Sequence, residues 1–209
     1  MTKALLTFCC VAVLLLAGCG DSKTGDELSD GPAGTPSAGP EAAGTEGEPR
    51  DGVVLTYTRP DGWAATERPS TYVISMVYPP GTDDAMWANI QLTFNTIWLL
   101  KDKSLAGAAQ AYVEGLEKST SIVKNFQVVS SEAVQYGDVE VQEILFTCDT
   151  YGGLDKPFKG RTWVAVSKSH FYYLVAAFQP AAFESYRPIL DAVAGSLRWE
   201  DGSPDPQDE

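Results

Sequence analysis

Only four cysteines and one histidine occur in 209 residues, and two of the cysteines, Cys9 and Cys10, lie in an apolar leader at the start. What remains, Cys19, Cys148 and His170, cannot supply the four ligands of a Cys/His zinc centre. Basic residues are also scarce: 15 Lys and Arg against 28 Asp and Glu, a formal net charge of −13. That balance is the reverse of the electrostatic footprint that nucleic acid demands. No glycine-rich phosphate loop of the P-loop or dinucleotide type is present, since Gly152-Gly153 has neither the spacing nor a following helix. The apolar run Ala4 to Leu16 is thirteen residues, about 20 Å as a helix against a hydrocarbon core of about 30 Å, so it does not read as a membrane span.

What that run does read as is a leader. Lys3 precedes it, Leu16-Ala17-Gly18 closes it with small residues, and Cys19 follows at once. The arrangement resembles the lipobox of bacterial lipoprotein precursors. The resemblance implies that residues 1–18 are removed, that the Cys19 thiol receives a diacylglycerol, and that its new amino group can carry a further acyl chain such as palmitate. Two or three acyl chains anchor far more firmly than the single chain that gives marginal, reversible binding. Gly20, rather than an aspartate, follows Cys19, which favours the outer membrane over the inner one if the cell has two. The expected location is the cell envelope, facing the periplasm or the exterior.

From Gly20 to Arg50 there is no aromatic residue and one large aliphatic, Leu28, among Gly, Pro, Ala, Ser, Thr and acids. Such a segment buries too little apolar surface to offset its ordering entropy, so residues 19–50 read as the lipidated cysteine and a disordered tether with a root-mean-square span of about 30 Å. The tether carries seven acids and two bases, and residues 200–209, read as a disordered tail, carry five acids and no base. Most of the negative charge therefore lies outside residues 51–199, which read as a single domain large enough to bury about two-thirds of its surface.

Within that domain the periodicity alternates between two and 3.6. Val53 to Tyr57 is a short β-rich run closed by Pro60-Asp61-Gly62. Thr71 to Tyr78 and Trp87 to Thr96 read as a hairpin joined through Pro79-Pro80-Gly81. Leu105, Ala108, Ala109, Tyr112, Val113 and Leu116 form one apolar stripe on a helix that Ser104 can cap. Phe126 to Tyr136 and Val139 to Thr147 flank Gly137-Asp138, a two-residue turn. Arg161 to Ser167 and Phe171 to Phe178 make another hairpin, and the second strand is apolar on both faces, hence central. A final helix either covers Tyr186 to Leu197 with Pro188 in its first turn, or starts at Pro180 and runs longer. The expected fold is α+β: an antiparallel sheet of about six or seven strands with one inserted and one C-terminal helix.

The opening Tyr57-x-x-Pro60-x-Gly62-Trp63, the helix bearing Ala111-Tyr112, the Gly137-centred hairpin and the closing Pro188-Ile189-Leu190 with Ser196-Leu197-Arg198 together resemble the PsbP-like (DcrB-like) α/β/α sandwich. The likeness runs through most of Val53 to Trp199. That group includes a photosystem subunit, a nuclear-transport factor and bacterial envelope lipoproteins, so it implies a fold and an adaptor-like habit and supplies no catalytic residue.

Site candidates follow from what is out of place. Trp98, Leu99 and Leu100 put large apolar groups where a polar loop is expected, and aromatic anchors dominate protein interfaces; as an alternative Trp98 and Leu100 roof the core beneath the helix. Tyr151 to Arg161 reads as a long hairpin loop in which Lys156, Phe158, Lys159 and Arg161 offer bases and an aromatic on an acidic protein. Asp83-Asp84 and Asp138 with Glu140 lack a calcium-loop spacing and read as turn residues. Cys148 and His170 act as nucleophile and base only if they meet. The expected protein is a lipid-anchored, non-enzymatic accessory factor with an envelope protein as partner and no cofactor. The alternative is a small-molecule carrier with a cavity between sheet and helix.

Overall fold

The computed structural model describes residues 51–70, 72–81, 88–152, 154–202 and 204. The leader, Cys19, the tether, the Asp83-Asp84 pair and residues 205–209 lie outside the described residues.

Among the described residues nine strands and two helices follow one another as β1 (Val53–Thr56), β2 (Ala64–Ser70), β3 (Val73–Tyr78), β4 (Ala88–Thr96), α1 (Leu105–Lys118), β5 (Gln127–Tyr136), β6 (Val139–Cys148), β7 (Phe158–Val166), β8 (His170–Phe178), α2 (Pro180–Gly195) and β9 (Arg198–Asp201). A 3-10 turn, Ile97–Leu99, links β4 to the loop before α1. Seven strands form one antiparallel sheet in the order β2-β3-β4-β8-β7-β6-β5, and β1 pairs with β9 in a separate two-stranded ribbon.

The expected α+β architecture is what the chain adopts, with differences at its margins. α1 begins where the sequence placed it, because the Ser104 hydroxyl accepts from the Gly107 amide at 3.0 Å and so satisfies one of the orphan amides of the first turn. α2 takes the longer of the two expected forms: Pro180 sits in its first turn, and Pro188 lies inside it on the exposed side. β9 runs to Asp201, two residues into the segment expected as tail, because backbone pairing of Val53 with Asp201 and Leu55 with Trp199 needs no apolar side chain at every position.

The helices lie on opposite faces of the sheet. On the α2 face, Trp163, Tyr172, Leu174 and Phe178 pack against Leu190, Val193 and Leu197, with Leu55 and Trp199 added from the ribbon. On the α1 face, Ile144, Phe146, Phe158 and Tyr173 pack against Tyr112 and Leu116. Each such side chain removed from water contributes about 1.5–3 kcal/mol before ordering costs. β8 is apolar on both faces because both are covered: Phe171 to Phe178 is buried throughout.

The sheet has two recognisable ends. One carries the start of β3, the 3-10 turn after β4 and the β7–β8 turn. The other carries the end of β6, the start of β7 and Phe178.

Candidate functional site

The two segments expected to bind a partner lie at opposite ends of the sheet. Trp98 stands on the 3-10 turn with 69% of its surface exposed, held there because the Ile97 amide donates to the Ser169 carbonyl at 2.9 Å. Leu99 and Leu100 are half-buried, and Leu100 packs on the α1-side core. Both expectations for this segment thus apply to different residues: Trp98 is offered to solvent and Leu100 roofs the core.

The basic loop is corrected. Only Lys156 remains in the loop, exposed. Phe158, Lys159 and Arg161 belong to β7, where alternation sends Phe158 into the α1-side core at 1% exposure and the other two toward α2. Lys159 pairs with Glu184 and lies 4.9 Å from the centre of the Phe183 ring. Arg161 pairs with Asp191 on α2 and, at 2.8 Å, with Glu143 on β6. Oε2 of that Glu143 also accepts from Trp163 Nε1 at 2.9 Å and Tyr136 Oη at 2.8 Å. Burial opposes the charge on Arg161, but the hydrogen bonds to Glu143 and Asp191 outweigh it and hold its pKa above the ordinary value. These cations tie α2 to the sheet and are already neutralised.

Cys148 and His170 do not meet. His170 opens β8; Cys148 lies beside Phe158, which adjoins the β7 residue paired with Phe178 at the far end of β8. Eight residues of strand separate those levels, about 26 Å. The two also differ in face: Cys148 is in the α1-side core, and the His170 ring packs edge-on against Phe94 on the α2 side. Burial pushes the Cys148 thiol up to about 11, the opposite of an activated nucleophile. Among the described residues no three His, Cys, Asp or Glu side chains converge as metal ligands.

What the sequence did not single out is the outer edge of the sheet. β5 is ten residues long, pairs only with β6 among the described residues, and is exposed from Gln127 to Ala133. Val128 and Val129 are 41% and 57% exposed, at a register shift between Val128 and Ser130. Natural edge strands are blunted by Lys, Pro, charge or bulges; β5 has no Lys or Pro, one acid, Glu132, and a bulge confined to its start, so that Ser130 to Tyr136 pair with β6 in regular register, whereas β2 at the opposite edge contains Pro69. α1 packs over β6 and β7 and stops short of β5. A cleft of about 420 Å³ therefore opens between Ala106, Ala109, Val113 and Glu117 on the helix and Ser131, Gln142 and Ile144 on the sheet. Ile144, Ala109 and Val113 line it with apolar surface, Gln142 donates to the Ser131 hydroxyl at 2.9 Å on the sheet side, and Gln110 with Glu114 forms a polar rim on the helix, braced by Lys118 at 3.0 Å from Glu114. One sequence signal pointed here: Phe126 to Tyr136 is β-rich yet short of large core residues, which is how an uncovered strand reads.

No protein-family model and no curated protein matches the chain. The fold itself is that of the PsbP-like α/β/α sandwich. Cyanobacterial PsbP (CyanoP) from Synechocystis sp. PCC 6803 superposes with a TM-score of 0.51 at 13% identity, over 76% of this chain and 98% of that one. LpqN, described as involved in cell envelope biogenesis of Mycobacterium tuberculosis, superposes with a TM-score of 0.53 at 16% identity, over 74% of this chain and 87% of that one. At these identities the likeness concerns the fold alone.

Proposed function

We propose that this is a lipid-anchored accessory protein of the bacterial cell envelope, held by acyl chains on Cys19, that binds another protein by adding an extended segment of it to β5. The observation that carries the reading is β5 itself: a ten-residue edge strand exposed from Gln127 to Ala133, with no lysine and no proline. Main-chain hydrogen bonds along such an edge supply affinity, and pockets beside it supply specificity; the cleft under α1 is placed to take side chains of the added strand. The thiol of Cys148, protonated and remote from His170, supports a non-enzymatic role. The leader, the lipobox-like Leu16-Ala17-Gly18-Cys19 and the acidic tether support an envelope location, outer membrane where there are two. LpqN, which shares the fold, is described as acting in envelope biogenesis.

The anchor is tested by mass spectrometry of the processed amino terminus, where an unmodified Cys19 removes it. The edge is tested with a photoreactive residue at position 129 in cells, followed by mapping of the crosslinked peptides on the captured protein. Glu132→Pro and Ala133→Pro complete the test, because only one of two adjacent amides points away from β6. One variant keeps its melting temperature and loses the captured protein; retention of that protein by both, with crosslinks scattered over the surface, overturns the reading.

A second reading rests on the cleft volume, which is within the range of small-molecule sites. It requires a ligand-dependent rise in melting temperature that β5 proline variants leave intact.

A further inference from the structure

We propose that the Trp98 end of the sheet rests on the surface of the bilayer to which the chain is anchored, with Trp98 at headgroup level and Lys101, Lys103 and Lys168 over anionic headgroups. The proposal rests on the reading of Cys19 as the lipid anchor and adds the orientation of the domain.

Three hydrogen bonds bring the relevant groups to one end. The Phe94 amide donates to the Tyr72 carbonyl at 3.1 Å, the Ile97 amide donates to the Ser169 carbonyl at 2.9 Å, and the Tyr172 hydroxyl donates to the Val53 carbonyl at 2.9 Å. The last contact fixes where the preceding chain joins the domain: residues 1–50 lead into Asp51–Val53 at the same end as Trp98. A tether that starts at the bilayer and arrives there delivers this end first.

The composition of the end suits an interface. Trp98 and Tyr72 are its exposed aromatics, 69% and 41%, and the other large exposed hydrophobics among the described residues, Val128 and Val129, lie on β5. Indole and phenol rings favour the boundary between hydrocarbon and water, where the ring body is apolar and one atom stays wet. Lys101, Lys103 and Lys168 are exposed, and none is ion-paired to a described residue. Asp102, between two of them, is turned toward the start of α1, where its Oδ1 accepts from the Ser104 amide at 2.9 Å; that bond lowers its pKa and keeps it an anion engaged by the helix. Two acids of this end lie nearer the lysines: Glu114 on α1 feels the charge of Lys101, and Asp138 in the β5–β6 turn falls at the level of Lys168 when the β6–β7 register is carried into the turns; Asp51 and Asp201 flank the ribbon on the α2 face. His170 Nδ1 is 2.9 Å from Ser169 Oγ.

Anchoring through Cys19 confines the domain near the surface at an effective concentration of order millimolar, so even a weak contact is occupied. Each lysine near an anionic surface adds about fivefold.

The test uses the processed, acylated chain in vesicles of 70% phosphatidylcholine and 30% phosphatidylglycerol, some carrying headgroup-proximal brominated lipid. The fluorescence component lost in Trp98→Phe is expected to be blue-shifted and quenched by the bromines. It should revert toward solvent-like emission in Lys101→Glu/Lys103→Glu/Lys168→Glu and in pure phosphatidylcholine at high salt. Unquenched, solvent-like Trp98 emission in the anchored wild type overturns the proposal, as does a shift that appears only when a captured protein is added. Sedimentation of Cys19→Ser chain with the same vesicles separates the two readings. Absence of acyl groups on Cys19 sinks the anchor, while phosphatidylglycerol-dependent sedimentation that Trp98→Phe weakens severalfold still supports the patch, and its absence sinks the patch.

Discussion

The ring of Phe146 on β6 lies flat over Gly160, its directly paired neighbour on β7. A Cβ at Gly160 would sit 2.5 Å from Cε1 and 2.7 Å from Cε2 of that ring. The missing side chain is therefore the space that the Phe146 ring fills, and neither residue can change alone. Gly160→Ala is expected to lose about 1–3 kcal/mol through overpacking, read as a lowered urea midpoint. Adding Phe146→Leu should recover part of that loss, giving a coupling energy of opposite sign to the sum of the single changes. Additive losses would mean the contact is not the cause.

Tyr172 and Tyr173 are neighbours in β8 with opposite accounts. The Tyr172 hydroxyl, on the α2 face, donates to the Val53 carbonyl and holds the β1–β9 ribbon to the sheet. The Tyr173 hydroxyl, on the α1 face, is buried with no hydrogen-bond partner among the described residues. Deleting a paired hydroxyl leaves a buried carbonyl unsatisfied, whereas deleting an unpaired one removes a desolvation penalty. Tyr172→Phe should cost about 1–2 kcal/mol, and Tyr173→Phe should be neutral or stabilising. Equal losses in chemical denaturation would contradict the assignment.

Glu143 gathers three donors on one oxygen, from Arg161, Trp163 and Tyr136, and its side chain is 14% exposed, as is that of Arg161. Removing the carboxylate leaves Arg161 with Asp191 and the Tyr136 hydroxyl, and the indole N–H of fully buried Trp163 without an acceptor. Glu143→Ala is expected to destabilise by about 3 kcal/mol. Glu143→Gln, which keeps an acceptor but loses the charge, should fall between it and wild type in the same titration.

The parts of this molecule that were legible in the sequence are those whose cause is local. α1 could be read because its stripe and its cap lie within fourteen residues, and β8 because a strand covered on both faces must be apolar at every position. β9 was hidden: Arg198-Trp199-Glu200-Asp201 is stabilised by pairing with a strand almost 150 residues away, and acids at a chain end read as solvated. Lys159 and Arg161 looked like loop cations because Pro157 and Gly160 surround them. What neutralises them, Glu184 and Asp191, comes from a helix 25 and 30 residues further on. The open edge of β5 followed the same logic in reverse, since its exposure depends on where α1 stops.

Cys148 gives the chain a marked response to alkali. Burial raises its thiol from 9.0 to about 11, so the folded state holds that proton more tightly than the unfolded one. The resulting stability is fully present below the unfolded pKa near 9 and is lost as pH rises through the folded value near 11. Melting temperature should therefore decline between pH 9 and pH 11. Buried Tyr112 and half-buried Tyr151, whose pKa values desolvation also raises, extend the decline in the same direction. Cys148→Ala should flatten the part of the curve between pH 9 and 11 that belongs to the thiol, and native Cys148 should react with a thiol reagent at pH 8 only as fast as the domain opens. A wild-type curve identical in slope to that of Cys148→Ala, or rapid labelling of the native protein at pH 8, would show that the sulfur lies in a wetter place than the α1-side core.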